Sequence, residues 1–310
     1  MRGTDKFDSL LFALFLTVLA SGVSGFAQTA PDPAEITFHS NAAEVRVTFS
    51  TTDQNNRVIA TVQPSDFAIV DQDLVVRDFR SFTRSEYTRM DVAVLVDASG
   101  SITGQFRQEL AHVVELIAQS EGVPDEAFSV VSFRDLKPAL VCDGNCRSMN
   151  ASGNFPSLAS GGQTPLYDSI VFASRMLGGR SDLHTRKVLI LFSDGADTIS
   201  LKSFSDAIDS TLANDVAIYT VDISDAPHVH PGTLVLRSLA ASTGGRYFTV
   251  ESGSAKVLDA ILEDFHAAYT VAYKLPSHAA GFHQLRILPT HNLSLQFHCR
   301  RGYYYADPEN

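Results

Sequence analysis

Cysteine is scarce. The 310-residue chain has 3 of them, too few for a disulfide scaffold, so the fold must rest on an apolar core. Basic residues are outnumbered, 24 Lys and Arg against 35 Asp and Glu for a formal net charge of −11, and they form no basic run. Nucleic acid and anionic lipid surfaces are therefore disfavoured as main partners, whereas cations are not. Membrane-length hydrophobic runs are missing too. The apolar stretch from Leu10 to Leu19, preceded by Arg2 and Lys6, is short for a bilayer span and suits the apolar region of a signal peptide. Small residues follow it. Cleavage after Ala27, with Gly25 at the minus-three position, or several residues earlier, predicts an exported protein that is periplasmic, on the cell surface or extracellular. No cysteine lies near the cut to carry a lipid anchor, and no transmembrane segment is expected in the mature chain. Internal repeats are absent, and 45% apolar residues suffice for a sizeable core.

What the chain does have is a buried-strand pattern that ends in oxygen-bearing side chains. Met90 to Ser101 reads MDVAVLVDASGS. The aliphatic run Val92 to Val96 fits a central parallel strand covered on both faces. The carboxyl ends of such strands face a ligand crevice, which puts Asp97 at its rim. Asp97, Ser99 and Ser101 then alternate as D-x-S-x-S, able to turn one carboxylate and two hydroxyls toward one point. Oxygen ligands of this kind suit a hard divalent cation. Two further segments carry matching groups. In GGQTPLYDSI, Thr164 offers a hydroxyl and Pro165 suits the first turn of a helix. In KVLILFSDGADT, Asp194 falls at the end of a second buried strand, followed by Gly195.

With D-x-S-x-S, Thr164 and Asp194 in that chain order, the sequence resembles a von Willebrand factor A domain with a metal-ion-dependent adhesion site, over about Asp91 to Tyr273. The resemblance implies that Ser99, Ser101 and Thr164 are hydroxyl ligands and that Asp97 and Asp194 bind directly or through water. It implies Mg2+ as the cofactor, with Mn2+ or Ca2+ as alternatives, and a protein ligand whose acidic side chain completes the metal's coordination. A site rich in neutral hydroxyls leaves Mg2+ incompletely satisfied, which makes it a binding device. The expected protein is an adhesion-type binding module and not an enzyme. An envelope scaffold with a non-essential metal site is the nearest alternative, and a metal-dependent hydrolase a third. Ser and Asp after strands also serve as turn and cap residues, and Asp168 and Asp197 are assigned to such roles.

Enzymatic readings fail at identifiable residues. The strand-end aspartate and SDGAD are similar to phosphoryl-transfer enzymes of the haloacid dehalogenase type. Those need a second acid two residues after the nucleophile, where this chain has Ser99, which cannot act as general acid at neutral pH. No G-x-S-x-G elbow is present. His228 and His230 form an H-x-H pair beside Pro231, but lack a third zinc ligand nearby and read as an exposed loop.

Alternation predicts a doubly wound, mostly parallel α/β sheet: strands at 90–96, 127–133, 187–193, 216–222 and 246–250, and helices at 104–119, 165–177, 203–214, 231–242 and 254–267. Outside it, EVRVTFST and DFAIVDQD on one side, and TVAYKL, HQLRIL, LSLQFHC and YYY on the other, read as strands. The expected division is a signal peptide at 1–27, an N-terminal β segment at 35–86, the α/β domain at 88–273 and a C-terminal β segment at 274–307. Neither flank offers many strands alone, so the two are expected to meet as one small β-sandwich, an organisation similar to secreted bacterial proteins of the VWFA-related group. Cys142 and Cys146 flank Asp-Gly-Asn and are either disulfide-bonded or free; Cys299 is left single.

Overall fold

The computed structural model describes residues 44–84, 89–100, 123–152, 161–180, 185–224, 228–249 and 254–306. The signal peptide, Ser101 and the helix expected at 104–119 lie outside the described residues.

The central sheet has six strands in the order β10-β9-β8-β5-β6-β7. They are β5 (Met90–Asp97), β6 (Phe128–Arg134), β7 (Lys137–Asp143), β8 (Arg186–Ser193), β9 (Val216–Asp222) and β10 (Tyr247–Thr249). All pairings are parallel except the edge hairpin β6–β7. Every residue of β5 is buried. Its side chains alternate: Val92, Val94 and Val96 enter one apolar cluster, Ala93 and Leu95 the other. That is what a strand needs when helices cover both faces. The first cluster is closed by Val257, Ile261 and Phe265 of the helix Ser254–His266. The second is closed by Leu166, Ile170, Ala173 and Leu177 of α2 (Leu166–Gly178), Ile208 and Leu212 of α3 (Phe204–Ala213), and Leu236 and Leu239 of α4 (Pro231–Thr243). Each fully buried aliphatic side chain contributes roughly 1.5–3 kcal/mol. The helix Ser254–His266 is α5, and α1 is the short Cys146–Ala151.

The doubly wound sheet expected from the sequence is present, with one addition. Strand β7 was not anticipated, because KPALVCD carries Pro138 and alternates poorly, as an exposed edge permits. Its end bears Cys142, which is disulfide-bonded to Cys146 with Cα atoms 5.2 Å apart. Cys299 is free, and burial pushes its thiol up to about 11, away from the reactive thiolate.

The two flanks do form a β-sandwich. One sheet runs β13-β1-β11-β4 and the other β14-β12-β2-β3. They comprise β1 (Glu44–Thr52), β2 (Phe67–Asp71), β3 (Leu74–Val76) and β4 (Ser81–Arg84) with β11 (Tyr269–Lys274), β12 (Gly281–Pro289), β13 (Gln296–Cys299) and β14 (Gly302–Tyr305). Each sheet mixes strands from both ends of the chain. Strand β11, read from the sequence as a flanking strand although the α/β segment was bounded at 273, pairs antiparallel with β1 and β4. Aromatic rings fill the space between the sheets, with Phe49 and Phe67 at 5.1 Å and Phe82 stacked on Tyr269 at 4.8 Å. The α/β layer is fastened to this sandwich where the Arg301 N–H donates to Ser242 O at 2.9 Å and Arg246 Nη2 to Asn56 O at 2.8 Å.

Candidate metal centre

Parallel strands β5 and β8 end side by side, and their last residues already interact. Asp97 closes β5 and Ser193 closes β8. The Ser193 hydroxyl donates to Asp97 Oδ2 at 2.8 Å and accepts the Gly195 N–H at 3.0 Å. Asp97 Oδ1 accepts the Ser99 N–H at 2.9 Å. Asp97 is therefore not on the crevice rim where the sequence placed it; it is fully buried. The reason is its position inside the regular strand, one residue before the chain turns outward. Burial pushes its carboxyl pKa up, as does the neighbouring charge of Asp194, while hydrogen bonds from Ser99 and Ser193 pull it down.

The other two segments close on this point through direct hydrogen bonds. Gly161 N–H donates to Ala98 O at 3.1 Å, joining the GGQT loop to the D-x-S loop. The Thr164 N–H donates to Thr198 Oγ1 at 2.7 Å, and the Thr198 N–H returns a bond to Thr164 O at 2.9 Å. Ser99 and Thr164 are both buried, and Asp194 is half-buried. Its Oδ1 accepts the Ala196 N–H at 2.9 Å. The turn after Asp194 depends on Gly195, at φ +77°, where a Cβ would fall 2.3 Å from Gly232 O. The start of α4 thus packs backbone to backbone against the Asp194 turn.

Thr198 and Ser193 are contributors the sequence reading passed over. Both were visible in SDGADT, but nothing in spacing says which hydroxyl faces inward. Of Asp168 and Asp197, assigned to turns and caps, Asp197 holds its own turn, whereas Asp168 tethers a distant loop. Asp168 accepts the N–H groups of Leu201 and Lys202 at 3.0 and 2.8 Å, and Asp197 accepts the Ser200 hydroxyl. His228 is exposed, but His230 is drawn in, its Nε2 lying 2.8 Å from Ser224 Oγ. Among the described residues no group of three or more His, Cys, Asp or Glu could hold a metal. A cation here must rely on hydroxyls beside the Asp97 and Asp194 carboxylates. That all-oxygen donor set fits a hard divalent ion.

The family profile described as von Willebrand factor type A domain matches residues 92–196. Among the curated proteins none matches the chain. Among solved structures, a von Willebrand factor type A protein from Catenulispora acidiphila is similar at 14% identity and TM-score 0.46, covering 88% of this chain and 76% of that one. An aerotolerance-related membrane protein from Bacteroides fragilis gives 15% identity and TM-score 0.44 over 57% of this chain and 98% of its own. Proximal thread matrix protein 1 from the mussel byssus, with its MIDAS motif occupied by zinc, gives 18% identity and TM-score 0.47 over 63% of this chain and 50% of its own.

Proposed function

We propose, from the premise that residues 92–196 carry a von Willebrand factor type A domain, that this protein is an exported, metal-dependent binding module and not an enzyme. The observation that carries the reading is the hydrogen-bonded convergence of three loops at the carboxyl ends of β5 and β8: Ala98 with Gly161, Thr164 with Thr198, and Ser193 with Asp97. In this reading Ser99, Ser101 and Thr164 supply hydroxyl oxygens, and Asp97 and Asp194 act directly or through water. A bound Mg2+, with Mn2+ or Ca2+ as alternatives, supplies a coordination position that a partner's carboxylate completes. Ser193 holds the Asp97 carboxylate in orientation, and the Thr164–Thr198 pair fixes the loop that carries the third hydroxyl. Two like charges beside a buried strand end disfavour the empty site and favour a cation. The disulfide Cys142–Cys146 supports an oxidising, exported setting. Among the described residues no helix is long and apolar enough to cross a membrane. We take β1–β4 with β11–β14 as the flanking unit and β5 to α5 as the binding domain.

Thermal unfolding in EDTA, and then in excess Mg2+, Mn2+ or Ca2+, tests this reading. A metal that binds only the native state stabilises it by about 2.7 kcal/mol at a hundredfold excess over its Kd. The melting point of the wild type rises and that of Asp97→Asn does not. Asparagine keeps one acceptor oxygen, enough for the Ser99 N–H, and gives up the bond from the Ser193 hydroxyl; far-UV circular dichroism checks that the variant is folded. An unresponsive wild type at millimolar metal defeats the binding reading and leaves a scaffold.

A further inference from the structure

Three consecutive tyrosines close β14, and the pleat of the strand sends them to different places. Tyr303 points into the sandwich, where it is buried and donates to Asp71. Tyr304 points out of it and is 48% exposed. Its ring is backed by Phe282 at a centroid distance of 5.3 Å, and its hydroxyl is hydrogen-bonded to Asp209 of α3. An exposed aromatic ring held at both ends has little freedom left to lose when a ligand covers it.

Two clefts meet at this ring. One, of about 430 Å3, lies between α2, α3 and β14; the other, of about 480 Å3, lies between α3, β1 and β14. They share Tyr304 and Ala213, the last residue of α3. Clefts of this size hold small ligands, and neither is lined by a proposed metal ligand.

Charge cancels within each cleft. Arg175 and Lys202 stand against Asp206 and Asp209 in the first. In the second, Arg46 and Arg300 stand against Glu44 and Asp215, with Arg300 paired to Asp215. A ligand of one sign would gain from half of these groups and lose to the other half, and an apolar ligand would desolvate all of them. A neutral ligand rich in hydroxyls suits both halves, because each hydroxyl donates one hydrogen bond and accepts two and so meets a carboxylate and a guanidinium at once. The larger aliphatic residues of the walls, Val45, Val171, Leu212 and Leu275, are buried, so the clefts offer little apolar surface to the side chains of a peptide.

We propose that this double cleft binds a neutral oligosaccharide, with one sugar ring against Tyr304 and its neighbours extending into the two clefts, their hydroxyls bridging the carboxylates and the cationic groups of the walls. The site is separate from the candidate metal centre, and the inference goes beyond the metal-dependent reading without resting on it.

Saturation-transfer difference NMR on the full chain tests it, with cellotetraose, maltotetraose and N-acetylchitotetraose as neutral probes and tetragalacturonate as a charged counterpart, in EDTA throughout so that metal takes no part. At least one neutral tetrasaccharide binds with a Kd of about 1 mM or tighter, and more tightly than tetragalacturonate. Tyr304→Ala weakens that binding about tenfold, while Tyr304→Phe, which keeps the ring, stays within about threefold of the wild type. Ala213→Gln, at an exposed position where the clefts join, narrows both and also weakens binding about tenfold. The melting points of Tyr304→Phe and Ala213→Gln stay at the wild-type value, which separates a blocked cleft from a damaged fold. No signal from any of the three neutral sugars, tighter binding of tetragalacturonate, or wild-type affinity in Tyr304→Ala or Ala213→Gln overturns the inference.

Discussion

Two buried aspartates end strands in this molecule, and their surroundings differ in kind. Asp71 closes β2 inside the sandwich, and Asp97 closes β5 at the carboxyl end of the central sheet; both are fully buried. Asp71 Oδ2 accepts hydroxyls from Tyr273 and Tyr303, each at 2.8 Å, and its other oxygen lies 3.6 Å from Nδ1 of buried His283. Burial, and the Asp71 charge after it, push the Tyr273 hydroxyl far above its ordinary value; in Tyr303 burial leads and the bond to Asp71 follows. The two tyrosine hydroxyls therefore stay protonated across the whole working range. Asp97 instead has small hydroxyls and a second carboxylate beside it. Large donors that are themselves core residues close the first site from within. The second is held by short hydroxyl side chains and a loop amide, with Ser193 Oγ on one oxygen and the Ser99 N–H on the other. A buried charge is tolerated when it is compensated, and the source of the compensation separates a structural aspartate from a candidate functional one.

That contrast can be broken by substitution. The largest effect is expected for Asp71→Ala, which strands the Tyr273 hydroxyl and takes an acceptor from the Tyr303 hydroxyl in a closed core. It should cost about 3–5 kcal/mol in urea unfolding while leaving any metal-dependent rise in place. A loss no larger than that of Asp97→Asn in EDTA would erase the distinction between the two sites. Next comes Thr198→Val, which removes the acceptor of the Thr164 N–H without touching a proposed ligand. Metal affinity, read by calorimetric titration, should weaken about tenfold or more, as for groups that orient ligands; unchanged affinity would show that the Thr164 loop positions itself. The smallest effect lies away from both sites, at the start of α3, where Ser203 Oγ accepts the Asp206 N–H and Asp206 Oδ2 accepts the Ser203 N–H. The Ser203 N–H, and after it the Ser203 hydroxyl donating to Asp206 Oδ2 at 2.8 Å, hold the Asp206 carboxyl below its ordinary value. Its stabilisation is therefore fully present above the unfolded-state value of about 3.9 and is lost as pH falls through the lower folded-state value. Ser203→Ala should shrink that acid limb in part, because the Ser203 N–H, the larger cause, remains while the hydroxyl is lost, and leave the profile unchanged at neutral pH apart from the lost cap. An identical acid limb in the variant would refute the assignment.

Legibility followed burial. Strands β5 and β8 are near-continuous aliphatic runs because helices cover both faces, and such runs announce themselves. Leu166, Ile170, Ala173 and Leu177 likewise mark one face of α2, and all are fully buried. The edge strand β7 hid because exposure on one side and Pro138 erase the pattern. Strand β11 was read correctly as a strand, yet only its pairing with β1 and β4 shows which sheet it joins. At the candidate site, residue types and chain order pointed to Asp97, Ser99, Ser101, Thr164 and Asp194, and Ser101 lies outside the described residues. What escaped was the support, Ser193 and Thr198, since hydroxyl direction depends on how neighbouring loops dock.

The sequence by itself determined the parallel α/β class, through near-continuous aliphatic strands alternating with amphipathic helices, and the oxygen-rich character of the strand ends, because those are local properties of consecutive residues. Tertiary structure alone decided that Asp97 is buried and bonded to Ser193, that Gly195 and Gly232 meet backbone to backbone, and that strands from both ends of the chain share two sheets. Each of these joins residues far apart in the chain. Long-range docking is governed by packing and by the need to satisfy buried polar groups, which no single segment can do alone.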